Sequence, residues 1–254
     1  SASELAELYA QHFDRFQRTR QGNYDVHKVS RLTERTYSWL APQLATAAPE
    51  WSSAAGAPAA AAAAPAALPR PLHVVEMGCM HGLLLSRFNS SRSPRLLKCF
   101  EATPEYHPQL QRRFDALNSD VLRAAGGKAE LVRGLFDGSS LEPGSVDLFL
   151  SSHVIEHLSD PCNWLRDVWN ALKPGGYIFS QVPLQRDHPS RGLTFGIFHL
   201  LYFDEASFSR LMRRQGFVQV AAEVDVLSNG SGHPLRGRPA SLNLNVLHRK
   251  PAAL

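Results

Sequence analysis

Two stretches decide the reading of this chain. The first is Val74-Val75-Glu76-Met77-Gly78-Cys79-Met80-His81-Gly82. The second is Val154-Ile155-Glu156-His157-Leu158-Ser159-Asp160-Pro161, which runs on to Leu172-Lys173-Pro174-Gly175-Gly176. In the first, a short apolar run ends at Glu76 and Gly78 follows, so a buried strand gives way to a sharp turn. At the carboxyl edge of an open α/β sheet, such a turn lets backbone approach a ligand closely. The start of the next helix offers free N–H groups to an anion. In the second stretch, Asp160 followed by Pro161 is an N-cap and first-turn pair. It opens a helix carrying Trp164, Leu165, Val168, Trp169 and Leu172, which Gly175-Gly176 is expected to end.

Outward from these stretches, strand and helix alternate. Strands are expected over 73–77, 96–101, 129–135, 146–151, 177–182, 218–227 and 242–249, with helices over 82–88, 104–117, 161–171 and 204–215. This alternation implies an α/β fold with a doubly wound, mostly parallel sheet. No helix separates the last two strands, so they are expected to run antiparallel to each other, joined by the loop 228–239. Before the sheet, Leu5, Leu8, Tyr9, Phe13 and Phe16 fall on helical spacing. A second helix is expected after Ser30 as N-cap, carrying Leu32, Tyr37, Leu40 and Leu44. From Ala47 to Pro71 the chain is mostly Ala and Pro, and the prolines at 58, 65, 69 and 71 break any long helix. The expected division is a helical lid over 1–46, an Ala/Pro-rich linker over 47–71 and the sheet domain over 72–250.

The bulk numbers exclude some classes. At 254 residues, 44% hydrophobic and 20% charged, the chain suits one large globular domain. The net charge of +4 is dispersed, and no basic stripe interleaved with aromatics marks a nucleic-acid partner. No apolar run is long enough to span a membrane. Cys79, Cys99 and Cys162 lack paired spacing, which argues against a disulfide framework and for a reducing compartment. The chain shows no charged-then-apolar leader and opens on Ser1 rather than Met. Cytoplasm and organelle interior both stay open as intracellular locations.

Together, in this order, the two signatures resemble the class I S-adenosylmethionine-dependent methyltransferases, over roughly Leu72 to Lys250. The resemblance implies a Rossmann-like, seven-stranded sheet with one reversed strand in a single domain, and S-adenosyl-L-methionine as cofactor. In that reading the backbone around Gly78, Cys79, Met80 and Gly82 receives the methionyl carboxylate, while Glu76 reaches the ammonium. Met80 stands where the family usually has a second glycine. Glu101, closing the second strand, can accept two hydrogen bonds from a ribose diol, with Ala102 beside it. Dinucleotide-binding folds use an acid the same way. However, Gly78-Cys-Met-His-Gly82 is not their G-x-G-x-x-G, and Glu-His-Leu with Lys-Pro-Gly-Gly belongs to methyltransferases. Leu135 and Phe136 are expected over the adenine, and Asp137 takes the place of the acid that the family often has directly after the glycine at 134.

Ser152 and His153 follow the fourth strand, between cofactor and acceptor. His153 is the first candidate for a general base, and His199, in the Phe198-His199 segment, is the second. Together with Arg186, Asp187 and His188, that segment is expected to wall the acceptor. His153 to His157 also reads as H-x-x-E-H, a zinc-peptidase pattern. That motif needs a long helix to bring both imidazoles to one face, and no third ligand is signalled. No metal centre is therefore expected, and Glu156-His157 is read as holding the turn.

The expected function is methyl transfer to an O, N or C nucleophile of a small-molecule acceptor. The alternative is a methyltransferase-like protein without activity that serves as a subunit of a larger assembly.

Overall fold

The computed structural model describes residues 26–49, 72–89, 95–119, 126–184, 199–227 and 241–252. Its elements in chain order are α1 (Val26–Ala47), β1 (Leu72–Met77), α2 (Leu83–Ser86), β2 (Arg95–Glu101), α3 (His107–Ser119), β3 (Lys128–Arg133) and β4 (Val146–Ser152). They continue with α4 (Pro161–Ala171), β5 (Leu172–Pro183), α5 (Glu205–Arg214), β6 (Val218–Leu227) and β7 (Ser241–Arg249). The seven strands form one sheet in the order β3-β2-β1-β4-β5-β7-β6. β1 to β5 pair in parallel, whereas β7 runs antiparallel to both β5 and β6. The sheet therefore has one reversed strand, as expected, and the strand order turns back between β1 and β4.

Each sheet face is covered by helices, because each carries a continuous apolar surface. On one side Leu40 and Leu44 of α1, Leu84 and Leu85 of α2, and Leu110 and Phe114 of α3 pack on Val74, Leu97, Leu148 and Phe179. On the other, Trp164, Leu165 and Val168 of α4 and Phe208 and Met212 of α5 pack on Val75, Phe100, Phe149 and Ile178. Both α4 and α5 start as their sequences require. Asp160 accepts the Asn163 N–H at 2.9 Å with Pro161 in the first turn. Asp204 and Ser207 form a reciprocal capping box.

Three expectations are corrected. α4 ends at Ala171, and Gly175-Gly176 lie inside β5, where the β4–β5 register shifts between Val146 and Leu148. Gly175 takes φ 82°, so the pair shapes an irregular strand entry rather than a helix end. α1 already includes Ser30, so Ser30 is no N-cap. Finally, Cys79 and Cys99 are disulfide-bonded, with Cα atoms 6.0 Å apart. Parallel pairing sets Glu76 beside Cys99, so the loop after β1 reaches β2 although 20 residues separate the cysteines. The inference of a reducing compartment rested on unpaired spacing and loses that basis.

The first expected helix, most of the linker and the loop 228–239 lie outside the described residues. α1 itself belongs to the core. Tyr177 donates its hydroxyl to the Ala47 carbonyl at 2.6 Å, and Arg35 pairs with Asp225 of β6. Among the described residues, no helix is long and apolar enough to cross a membrane.

Candidate functional site

The site builds up where β1 and β4 end side by side, since the crevice of a doubly wound sheet opens where strand order reverses. Gly78 leaves β1 at φ 72°, its N–H bonded to the Phe100 carbonyl at 2.8 Å. A Cβ there would meet Val154 Cγ2 at 2.8 Å, so only glycine fits. Met80 also adopts a left-handed conformation, φ 47°. Its backbone thus keeps a shape that glycine adopts freely, despite the side chain.

Glu101 organises this loop. Its Oε2 accepts the Met80 N–H and its Oε1 the Thr103 N–H, both at 2.8 Å. Its carbonyl accepts the Gly134 N–H at 2.9 Å and lies 2.8 Å from His107 Nε2. One residue at the end of β2 therefore holds the loops after β1, β2 and β3. Glu76 is 3% exposed and accepts the Leu85 N–H at 3.0 Å. Burial pushes its carboxyl up to about 8; the Leu85 N–H opposes that rise and the Glu101 charge adds to it. A buried carboxyl in this state has much to gain from a cation brought against it.

The loop after β3 divides its two apolar residues. Phe136 is buried, its ring packed on those of Phe100, Phe149 and Trp164. Leu135 is exposed. Of the pair, Leu135 is the one presented at the surface. Asp137 accepts from the hydroxyl and N–H of Ser139 at 2.6 and 2.8 Å, and these bonds hold its carboxyl below the usual range.

Across the crevice, β4 ends in Ser152 and the chain turns at His153, φ 53°. Left-handed backbone at a histidine is uncommon and concentrates at functional sites. His153 Nδ1 lies 3.3 Å from Glu156 Oε1; the imidazole is 42% exposed and the carboxylate fully buried. Burial alone would raise the Glu156 carboxyl. The His153 hydrogen bond and the charges of His153 and His157 outweigh it, and the carboxyl sits below its ordinary value. Glu156 Oε2 is buried and has no hydrogen-bond partner. The His199 ring lies 4.9 Å from that of His157, and desolvation first, then His157, lowers its basicity. The donor atoms of Glu156, His157 and His199 lie within 4.8 Å of one another.

The fold thus brings Glu76, Gly78, Cys79, Met80, Gly82, Glu101 and Ala102 to one side of the crevice, and Ser152 and His153 to the other. His199 joins His157 rather than His153. Arg186, Asp187, His188 and Phe198 lie outside the described residues. Sequence reading missed Thr103 and Gln181. Gln181 accepts from Ser152 Oγ at 2.7 Å and donates to Asn245 Oδ1 and Thr36 Oγ1, a polar chain under the end of β4. Its signal was an amide within the buried second half of β5.

A family model described as "Methyltransferase domain" matches residues 52–222. The chain is 31% identical over 99 residues to trans-aconitate 2-methyltransferase of Deinococcus radiodurans, covering 36% of this chain and 38% of that protein. It is 29% identical over 124 residues to a ubiquinone biosynthesis O-methyltransferase of Ralstonia nicotianae, covering 44% and 52% respectively. The matches thus span between about two fifths and one half of these relatives. Among solved structures, a Burkholderia thailandensis 1,6-didemethyltoxoflavin-N1-methyltransferase with bound 1,6-didemethyltoxoflavin and S-adenosylhomocysteine aligns over 99% of this chain and 91% of its own. Its TM-score is 0.62 at 18% identity, a likeness of fold.

Proposed function

The chain belongs to the methyltransferase-domain family, and from that premise we propose that it transfers a methyl group from S-adenosylmethionine to an O, N or C nucleophile of a small molecule. The observation that carries this reading is the Glu76–Gly78–Glu101 arrangement. It sets a buried carboxyl, a glycine turn and a carboxylate-held loop along one edge of the β1–β4 crevice. These residues fit the cofactor. Glu76, whose carboxyl burial pushes up to about 8, suits an incoming ammonium. The Gly78–Gly82 backbone suits a carboxylate, and Glu101 keeps lone pairs for a ribose diol beyond the two N–H bonds it accepts. Leu135, with Asp137 two residues on, suits adenine.

When bound, S-adenosylmethionine supplies a sulfonium methyl open to in-line displacement. The protein's share is alignment of donor and acceptor in a water-poor crevice, where most of the rate enhancement of such a transfer arises. His153 takes the proton of an acceptor that must lose one, and Glu156 holds its Nδ1 so that Nε2 faces outward.

The test is calorimetric titration of the folded chain with S-adenosylmethionine and S-adenosylhomocysteine. We expect roughly micromolar binding, lost in Gly78→Val and Glu101→Ala while the fold persists. Unchanged affinity in both variants would overturn the site. No binding by the folded wild-type chain would favour a scaffold subunit without activity.

A further inference from the structure

We propose that Glu156, His157 and His199 form a three-donor site for a divalent transition metal, zinc foremost, on the acceptor side of the crevice. H-x-x-E-H in the sequence argued against a metal, because it sits in a short turn and no third ligand was visible. The fold supplies the third. The turn Ile155–His157 is tied to the segment carrying His199 by the Leu200 and Leu201 N–H groups, which both donate to the Glu156 carbonyl at 2.9 and 3.0 Å. That pair of bonds fixes His199 beside Glu156 and His157, with all three donor atoms within 4.8 Å of one another.

A second, independent observation points to a ligand. Glu156 is fully buried, and its two oxygens are unequal: Oε1 faces His153 at 3.3 Å, while Oε2 has no hydrogen-bond partner. A buried acceptor without a donor is costly, and a metal ion satisfies it directly. Two imidazoles and one carboxylate are a donor set that zinc takes in open sites, with remaining positions for water or substrate. Donors at about 2.1 Å from a tetrahedral ion stand roughly 3.4 Å apart. His157 Nε2 lies 3.9 Å from Glu156 Oε1, the oxygen that also faces His153, and the three donors fall within 4.8 Å. Binding an ion therefore requires the side chains to draw together and the carboxylate to turn Oε2 toward it. His157 and His199 are part-exposed, which leaves the site open toward the crevice.

The site takes, as its further donor, an ionisable oxygen of the acceptor: a phenolic, enolic or carboxylate oxygen held as its anion. This last step rests on the methyltransferase reading; the metal site does not. It also separates the histidines by role, His153 as base and His199 as ligand.

The experiment is titration of metal-stripped, tag-free protein with cobalt(II), read by visible absorption, with S-adenosylhomocysteine affinity measured on the same samples. We expect one equivalent to bind with the intense bands of four- or five-coordinate cobalt, displaced by zinc. Affinity should fall more than about tenfold in His199→Ala and in His157→Gln, with cofactor affinity retained as proof of folding. Absence of such bands in wild type, or identical bands in both variants, would overturn the site. Cobalt binding without any S-adenosylhomocysteine binding would sink the methyltransferase reading and leave the metal site standing.

Discussion

Glu101 Oε2 accepts the Met80 backbone N–H at 2.8 Å across 21 residues of chain. The acid that ends β2 therefore holds the turn that follows β1. In the proposed site, affinity and loop order should be coupled through this bond. A variant such as Glu101→Gln, which keeps the shape but weakens the acceptor, should loosen the Met80 turn as well as lower cofactor affinity. Hydrogen exchange at the Met80 amide, compared with and without S-adenosylhomocysteine, would measure that coupling.

In the proposed site, Glu76 should make cofactor binding depend on pH. Its carboxyl, pushed up to about 8 by burial, is neutral in the free protein below that value. An ammonium favours the ionised form, so binding releases a proton. Affinity for S-adenosylmethionine should rise with pH toward about 8 and then level, by at most about tenfold per pH unit. Calorimetry in buffers of different ionisation enthalpy counts the proton, and Glu76→Gln should abolish its release.

The same group sets a stability slope. The folded chain binds a proton that the unfolded chain has lost, so the stability of the free protein should fall as pH rises from 4.5 to about 8. Denaturant melts across that window should show the decline, and Glu76→Gln should flatten it.

His248 acts with the opposite sign. It is fully buried, neither ring nitrogen has a hydrogen-bond partner, and desolvation pushes it down to about 4. The unfolded chain takes the proton first, so this group removes stability as pH falls from 6.5 toward about 4. His248→Leu should reduce the acid sensitivity of the melting temperature. An unchanged acid limb would assign it to other groups.

Met80 and Gly82 should respond differently to substitution. Met80→Gly removes a side chain from left-handed backbone, φ 47°, and should leave S-adenosylhomocysteine affinity undiminished. Gly82→Ala adds a Cβ at φ 67° that would meet Leu110 Cδ2 at 2.8 Å. It should cost about 1–2 kcal/mol in a denaturant melt. A large loss of affinity in Met80→Gly would show that the thioether itself packs on the cofactor.

The disulfide has a chemical readout. Denatured without reductant, the chain should expose one reactive thiol, Cys162, and three after reduction. Three thiols before reduction would break the assignment.

Much of this architecture follows from local chemistry. Asp160-Pro161 and Asp204 with Ser207 start their helices through neighbouring backbone. The short apolar strands and the helices between them required a doubly wound sheet, and the glycine after Glu76 required a turn at its edge. Such features depend on residues a few positions apart, so periodicity and capping disclose them. Partners from distant parts of the chain were not disclosed. That Cys79 meets Cys99, that Gln181 links Ser152 to Asn245 and Thr36, that Phe136 turns into the core while Leu135 stays out, and that His199 lies against His157 all depend on strand order and register. The sequence alone determined the elements and the β1–β2 half of the candidate site, because a strand, a turn and a terminal acid are written in consecutive positions. Only the tertiary structure decided the grouping around Glu156, His157 and His199, because these groups come from separate loops that the parallel sheet brings to one edge.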